Sequence, residues 1–483
     1  MKTRRTLSLA LAAMLLSSLL ACAAQPAAPD AVTTPAPDTT LPAVTEAVTE
    51  APALPQDHLG EADFDGAKYI VVGRNAYAKA VTASDMNGEA INDAQYAAAR
   101  AVEERFHVAV SYEDRGDEGE GSIVDGIVRS GDDTYAVVIG HDGNLISVQM
   151  KGELYNLKSM PQFDFTQPWW TKATETLAIG DKAYVASSFF SYFCMYYVRV
   201  LVANKTVAAD FNLTLPYEKV FAGDWYLDDL IEMCAAATAD TNGDGKMNAD
   251  DNWGLAYVKG NLYTFQNSLG IDVFHKDADN MPYLDFNLDV AQGYLQKMET
   301  LLENSAYNDP AGDYGAHFFS DGRALFCYCN LREVCNIIRD TDLSYGFIPA
   351  PKLDENQKEY ITSATDAYWC VPISSAARAD MIGTITEALS CQHYNLVRPA
   401  FYETTMKGKL ADAPEDTAVL NMLPATMSID FGYAYYQVIT AMPTLRDLTN
   451  TTTSGKLAST YKKLSAALEK QLAATVEKYE KLE

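Results

Sequence analysis

The sequence predicts an α/β protein whose parallel strands are covered by helices on both faces. Two stretches carry that prediction. Between Tyr69 and Ile139, strand-like and helix-like segments alternate in the order β-α-β-α-β. Between Tyr196 and Ile373 a second set of strands and helices follows. At 483 residues the chain exceeds one simple core, and its length suggests two or three domains.

Each element has its own signal. Tyr69-Ile70-Val71-Val72 reads as a buried strand. Ile91, Ala94, Ala98, Val102 and Phe106 recur at helical spacing, and Val108, Val110 and Tyr112 alternate as a strand. Ile123, Ile127 and Val128 mark a helix, and Tyr135 to Ile139 another buried strand. Ligands of such sheets sit at the carboxyl ends of the strands. The tips here are Gly73-Arg74-Asn75 and Gly140-His141-Asp142. In the second region Tyr196 to Ala203 is strand-like. Trp225 to Ala237 is helical, with Leu227, Leu230, Ile231 and Cys234 on one face. Trp253 to Val258 reads as a strand, and Val290, Tyr294, Leu295, Met298 and Leu301 mark a helix. Ala324 to Cys329 and Tyr368 to Ile373 read as strands, and Leu457 to Leu482 is a long amphipathic helix.

The first 57 residues differ in kind. Lys2, Arg4 and Arg5 precede an apolar run, Leu7 to Leu20, that falls short of the ~20 residues a spanning helix needs. Residues 1–21 therefore read as a secretory signal. Leu19-Leu20-Ala21-Cys22 resembles the bacterial lipobox, which implies lipidation of Cys22 and a chain tethered to the extracellular face of the cell membrane. Residues 22–57 are dominated by Ala, Pro, Thr and Val and are expected to be a disordered tether. A net charge of −28 argues against a nucleic-acid partner. Setting Cys22 aside leaves seven cysteines, an odd number that cannot all pair within one chain, and they read as buried thiols.

One motif has sharp chemistry. In residues 240–251, Asp240, Asn242, Asp244, Asn248 and Asp251 put oxygen side chains at loop positions 1, 3, 5, 9 and 12. Gly245 occupies the sixth position, where the chain must turn sharply, and Lys246 offers a backbone carbonyl at the seventh. This is the EF-hand ligand pattern for Ca²⁺. A strand rather than a helix follows, and no second loop pairs with it, so the expected role is a structural staple.

Several short segments resemble the extracellular solute-binding proteins of carbohydrate ABC importers (family 1), including their lipoprotein members. They are Gly152-Glu-Leu-Tyr-Asn-Leu157, Gln167-Pro-Trp-Trp170, Ile179-Gly-Asp-Lys-Ala-Tyr-Val185, the 224–255 helix and loop, Phe319 to Phe326, Tyr345 to Lys352, Val371-Pro-Ile-Ser374 and Phe401-Tyr-Glu-Thr404. The resemblance implies a type II periplasmic-binding-protein-like fold with hinge strands between two lobes. Lobe one would take 58–187 and 368–405, and lobe two 188–367 and 406–483, with crossings near Ser187-Ser188 and Ala364-Thr365-Asp366. It implies a monomer that captures a small solute, most simply a sugar or oligosaccharide, and delivers it to ABC permease subunits. Asn75, His141 and Asp142 at strand tips, Phe189, Phe190 and Asp366 at the crossings, and Tyr257, Asn330 and Trp369 become the expected solute contacts. Asn330-Leu331 stands where sugar binders often carry an aromatic residue. Trp169-Trp170 is expected to pack in the core. Competing readings are a peptide or other non-sugar solute, a calcium-dependent surface interaction protein and a glycan-active enzyme. No HExxH, GxSxG, P-loop or complete GxGxxG supports the last.

Overall fold

The computed structural model describes residues 54–482, apart from Asn75, Asp366, 407–413 and 452–453. The expected secretory signal, Cys22 and the greater part of the expected tether lie outside the described residues. The strands, in chain order, are β1 (Ala67–Gly73), β2 (Val108–Asp114), β3 (Tyr135–Gly140), β4 (Arg199–Asn204), β5 (Trp253–Tyr257), β6 (Phe274–Lys276), β7 (Pro282–Leu284), β8 (Ala306–Asn308), β9 (Ala324–Asn330), β10 (Tyr345–Ile348), β11 (Thr362–Ser363), β12 (Tyr368–Cys370) and β13 (Met427–Ser428).

The first sheet runs β12-β3-β1-β2. β1 is parallel to β2 and β3, as the β-α-β-α-β order predicts, but β12 returns antiparallel on β3. β3 is buried along its whole length, as an uninterrupted apolar strand flanked on both sides must be. The second sheet runs β10-β4-β9-β5-β8 and is mixed: β4 is antiparallel to β9 and β10, while β5 is parallel to β8 and β9. Helix Ala90–Phe106 buries Ala98, Ala99, Val102 and Phe106 and stops at His107, whose φ of 48° is a left-handed cap.

The structure differs from the sequence expectation at two strand ends. Tyr196 belongs to a helical turn, Phe193–Tyr196, and the strand starts only at Arg199. The cause is aromatic crowding: Phe193 stacks on Tyr196 at 5.0 Å, which needs helical spacing. At the other end β12 stops at Cys370, ahead of Pro372, which has no N–H to donate to a ladder.

Beyond the two sheets the chain ties back. Helix Ala379–Gln392 packs on helix Ala90–Phe106, and helix Pro414–Ala425 packs on β10. The final helix, Leu457–Glu480, packs on helix Leu288–Asn304, yet its last turn reaches the first half, where Tyr479 Oη donates to Lys182 O at 3.0 Å. Six cysteines, Cys194, Cys234, Cys327, Cys329, Cys370 and Cys391, are buried thiols, and Cys335 is partly buried. Among the described residues no helix is long and apolar enough to cross a membrane.

Trp169 and Trp170 pack in the core, and each donates its indole N–H to the buried Glu387 at 3.0 Å. Burial pushes the Glu387 carboxyl up to about 8, against the pull of those two donors. The folded state therefore holds a proton that the unfolded chain releases from about pH 4.5 upward. This contribution to stability is complete below that pH and declines as pH rises toward 8. Glu387→Gln is expected to flatten the fall in melting temperature across this window, and thermal melts of both proteins at matched pH values check it. Parallel curves would show that Glu387 is ionised throughout.

Candidate functional site

The carboxyl ends of the parallel strands locate the candidate site. In the first half, β1 ends at Gly73 beside Arg74, and β3 ends at Gly140 beside His141. A buried carboxylate, Glu120, organises both tips. It pairs with Arg74 Nε at 2.9 Å, accepts from the His141 backbone N–H at 3.0 Å and accepts from Asn144 Nδ2 at 2.8 Å. Helix Asp142–Gln149 starts there. In the second half, β5 ends at Tyr257 and β9 at Asn330. Because β4 is antiparallel to β9, its first residue, Arg199, faces Asn330 at that same edge.

A row of tyrosines bridges the two sets of tips. Tyr263 opens helix Tyr263–Ser268 beyond β5. Its ring stacks on Tyr433 with centroids 4.3 Å apart and planes 17° apart. Tyr433 in turn stacks on Tyr436 at 5.7 Å. Tyr436 lies against the start of helix Asp142–Gln149, where a Cβ added to Gly143 would sit 2.9 Å from its ring. Arg446 lies within 5.4–5.8 Å of all three ring centroids. The turn that presents Tyr433 is fixed by Asp430, which accepts the Tyr433 backbone N–H at 3.0 Å.

These groups line a cavity of about 10 Å³, room for scarcely one water. Asp430 lines it, and Asp272 is its half-buried neighbour; desolvation raises both carboxyls, Asp272 to about 8. Flat aromatic faces beside polar rims suit a molecule with C–H faces and hydroxyl edges.

The residues expected from sequence fall in different places. Asn75 and Asp366 lie outside the described residues, and Asp142 is described only as the first residue of its helix. His141 is half-buried at the β3 tip, and Tyr257 is half-buried at the β5 tip. Asn330 is buried, and its N–H donates to Glu333 at 3.1 Å in a reciprocal cap. Phe190 and Trp369 are buried against each other at 5.4 Å, and the Trp369 indole donates to Ser188 Oγ at 3.1 Å. Trp369 and Ala186 exchange backbone hydrogen bonds beside that contact. Phe189 meets Tyr394 edge-on at 5.2 Å and lines a separate cavity of about 490 Å³ with Phe165, Trp170 and Arg398. Tyr263, Tyr433, Tyr436, Arg446, Arg199 and Glu120 were not among the sequence candidates. The one local signal for them is the aromatic run Phe431-Gly-Tyr-Ala-Tyr-Tyr436.

The 240–251 loop is folded around its own oxygens. Asp240 accepts from the N–H groups of Gly243 and Gly245, both at 2.7 Å, and those glycines have φ of 74° and 78°. Asp251 is buried and accepts from Thr241 N at 3.1 Å and Asn248 N at 2.9 Å. Helix Leu227–Ala236 precedes the loop and β5 follows it. Carboxylate, carboxamide and carbonyl oxygens on one turn are donors of the type Ca²⁺ takes, though among the described residues no three carboxylates gather as a metal site.

The fold is that of the two-lobed solute-binding proteins of ABC importers, with mixed sheets flanked by helices. Among solved structures, the galacto-N-biose-/lacto-N-biose I-binding protein of the ABC transporter from Bifidobacterium longum, in complex with lacto-N-biose, is similar with a TM-score of 0.55. The identity is 13%, over 86% of this chain and 98% of that one. A cyclo/maltodextrin-binding protein complexed with maltotetraose matches with a TM-score of 0.53 and 14% identity, over 88% and 98%. The maltose/maltodextrin-binding domain MalE from Bdellovibrio bacteriovorus, bound to maltotriose, matches with a TM-score of 0.50 and 15% identity, over 85% and 98%. No protein-family model and no curated protein matches the chain.

Proposed function

We propose that this chain is the solute-capturing component of an ABC importer, and that it binds a sugar or oligosaccharide between its lobes and hands it to the permease. The observation that carries this reading is the Tyr263–Tyr433–Tyr436 row, which runs from the helix that follows β5 to the helix that follows β3. The three similar structures are binding proteins, each named with a bound sugar, which favours capture over turnover. Lobe one is taken as 58–187 with 368–405 and lobe two as 188–367 with 406–483, in keeping with the membership of the two sheets. Lipidation of Cys22, at the extracellular face, would hold a monomer near its permease, and the tether would let it reorient. A thermal-shift screen against mono- and oligosaccharides tests the reading, since a ligand of the folded state raises the melting temperature. A shift with peptides and none with sugars would replace it.

We also infer that the 240–251 loop holds a structural Ca²⁺. Asp240, Asn242, Asp244, Asn248 and Asp251 would ligate through their side chains and Lys246 through its carbonyl. Wild type is expected to melt at higher temperature in Ca²⁺ than in chelator, and Asp244→Ala is expected to lose that difference. Identical calorimetric titrations of the two proteins with Ca²⁺ would remove the idea.

A further inference from the structure

We propose that the solute carries a carboxylate, as an acidic sugar of the uronate class does, and that Arg199 is the residue that selects it. This rests on the sugar-capture reading of the cleft and narrows it.

Arg199 is 1% exposed and sits at the carboxyl edge of the second sheet, opposite Asn330. Its guanidinium lies 4.0 Å from the Tyr314 ring, and Nη2 donates to Tyr314 Oη at 3.0 Å. Nε and Nη1 are buried and have no acceptor. Among the described residues no carboxylate pairs with it, and its electrostatic neighbours are Tyr263, Tyr314 and Tyr328. Tyr263 is the end of the tyrosine row that follows β5, so the guanidinium lies behind that end of the row.

A guanidinium keeps its charge in any protein environment. Burying one without a counter-charge costs several kcal/mol, on the order of what a buried ion pair recovers. The chain nevertheless builds a dedicated holder for it. Tyr314 stands in four successive residues of positive φ, Gly312 at 89°, Asp313 at 45°, Tyr314 at 58° and Gly315 at 86°. A Cβ at Gly315 would lie 2.8 Å from the Tyr257 backbone nitrogen, so the loop is pressed against the β5 tip. Strain of this kind persists where the surroundings over-determine it, most often around ligands. Its result here is a ring held under Arg199 with two donors left over. A carboxylate oxygen on Nε or Nη1 would supply the missing charge and a charge-assisted hydrogen bond. The chain's net charge of −28 repels an anion at long range, so a local cation is what an acidic solute needs.

Isothermal titration of the full chain tests this with D-galacturonate, D-glucuronate and digalacturonate, beside galactose, glucose and the methyl esters of the two uronates. The expected result is that an acidic sugar binds at least about tenfold more tightly than its neutral counterpart and its ester. Arg199→Gln is expected to abolish that preference and Arg199→Lys to keep part of it. The esters test the charge on wild-type protein, so the result stands even where a variant does not fold. Equal or tighter binding of a neutral sugar or ester, or a preference that survives Arg199→Gln, overturns the inference and leaves sugar capture intact. Binding of none of these sugars overturns the inference, and the wider thermal-shift screen with oligosaccharides then decides sugar capture by itself.

Discussion

Asp416→Ala is expected to destabilise the folded protein by about 3 kcal/mol, the loss typical of breaking one side of a buried ion pair. The Asp416 carboxylate is fully buried. It accepts from Lys205 Nζ at 2.7 Å, Tyr217 Oη at 2.5 Å and the Phe347 backbone N–H at 2.7 Å. The substitution strips Lys205 of its counter-charge, and two further donors lose their acceptor. Helix Pro414–Ala425 is attached to β10 through this carboxylate, so its loss loosens the edge of the second sheet. Asp416→Asn keeps the shape but gives up the charge and part of the acceptor capacity, and is expected to fall between wild type and alanine. Denaturant unfolding followed by tryptophan fluorescence measures the difference. A change below about 1 kcal/mol would mean that water replaces Asp416 at little cost.

The second large effect is on binding. Tyr433→Ala is expected to weaken sugar affinity by about 10- to 100-fold, the equivalent of about 1.4 to 2.7 kcal/mol. The ring is the middle member of the stack, so its removal also breaks the stacking between Tyr263 and Tyr436. Tyr433→Phe keeps the platform and is expected to retain affinity within about threefold if the hydroxyl makes no solute contact. Because Tyr433 is only half-buried, the alanine variant should remain folded, and its circular dichroism should match wild type. Unchanged titration curves for Tyr433→Ala would move the site away from the tyrosine row.

The fold was legible in the sequence because its signals are local. Tyr135 to Ile139 and Ala324 to Cys329 are apolar without interruption, and both prove to be interior strands of their sheets. Helix Ala90–Phe106 shows its buried face directly in its spacing. The direction of β12 was not legible, since parallel and antiparallel strands share one alternation. The site was harder for a different reason. Tyr263 and Tyr433 meet only because two distant segments cross, and the aromatic run around Tyr433 does not say which segment it meets. The aromatics at the crossing, Phe190 and Trp369, are as conspicuous in sequence as cleft residues would be, yet they are buried against each other. Glu120 shows the same limit from the other side. In sequence it is one more acid at a helix start; in space its carboxylate meets two strand tips.

In the proposed capture of a solute, that carboxylate decides how ready the strand tips of the first sheet are. Glu120 holds Arg74, the His141 backbone and Asn144 to a single point, and the fit leaves no slack: a Cβ added at Gly140 would fall on the Glu120 side chain. The tips of β1 and β3 therefore cannot drift independently. Their ordering entropy is spent during folding, so under the proposed capture little would remain to be lost there on binding.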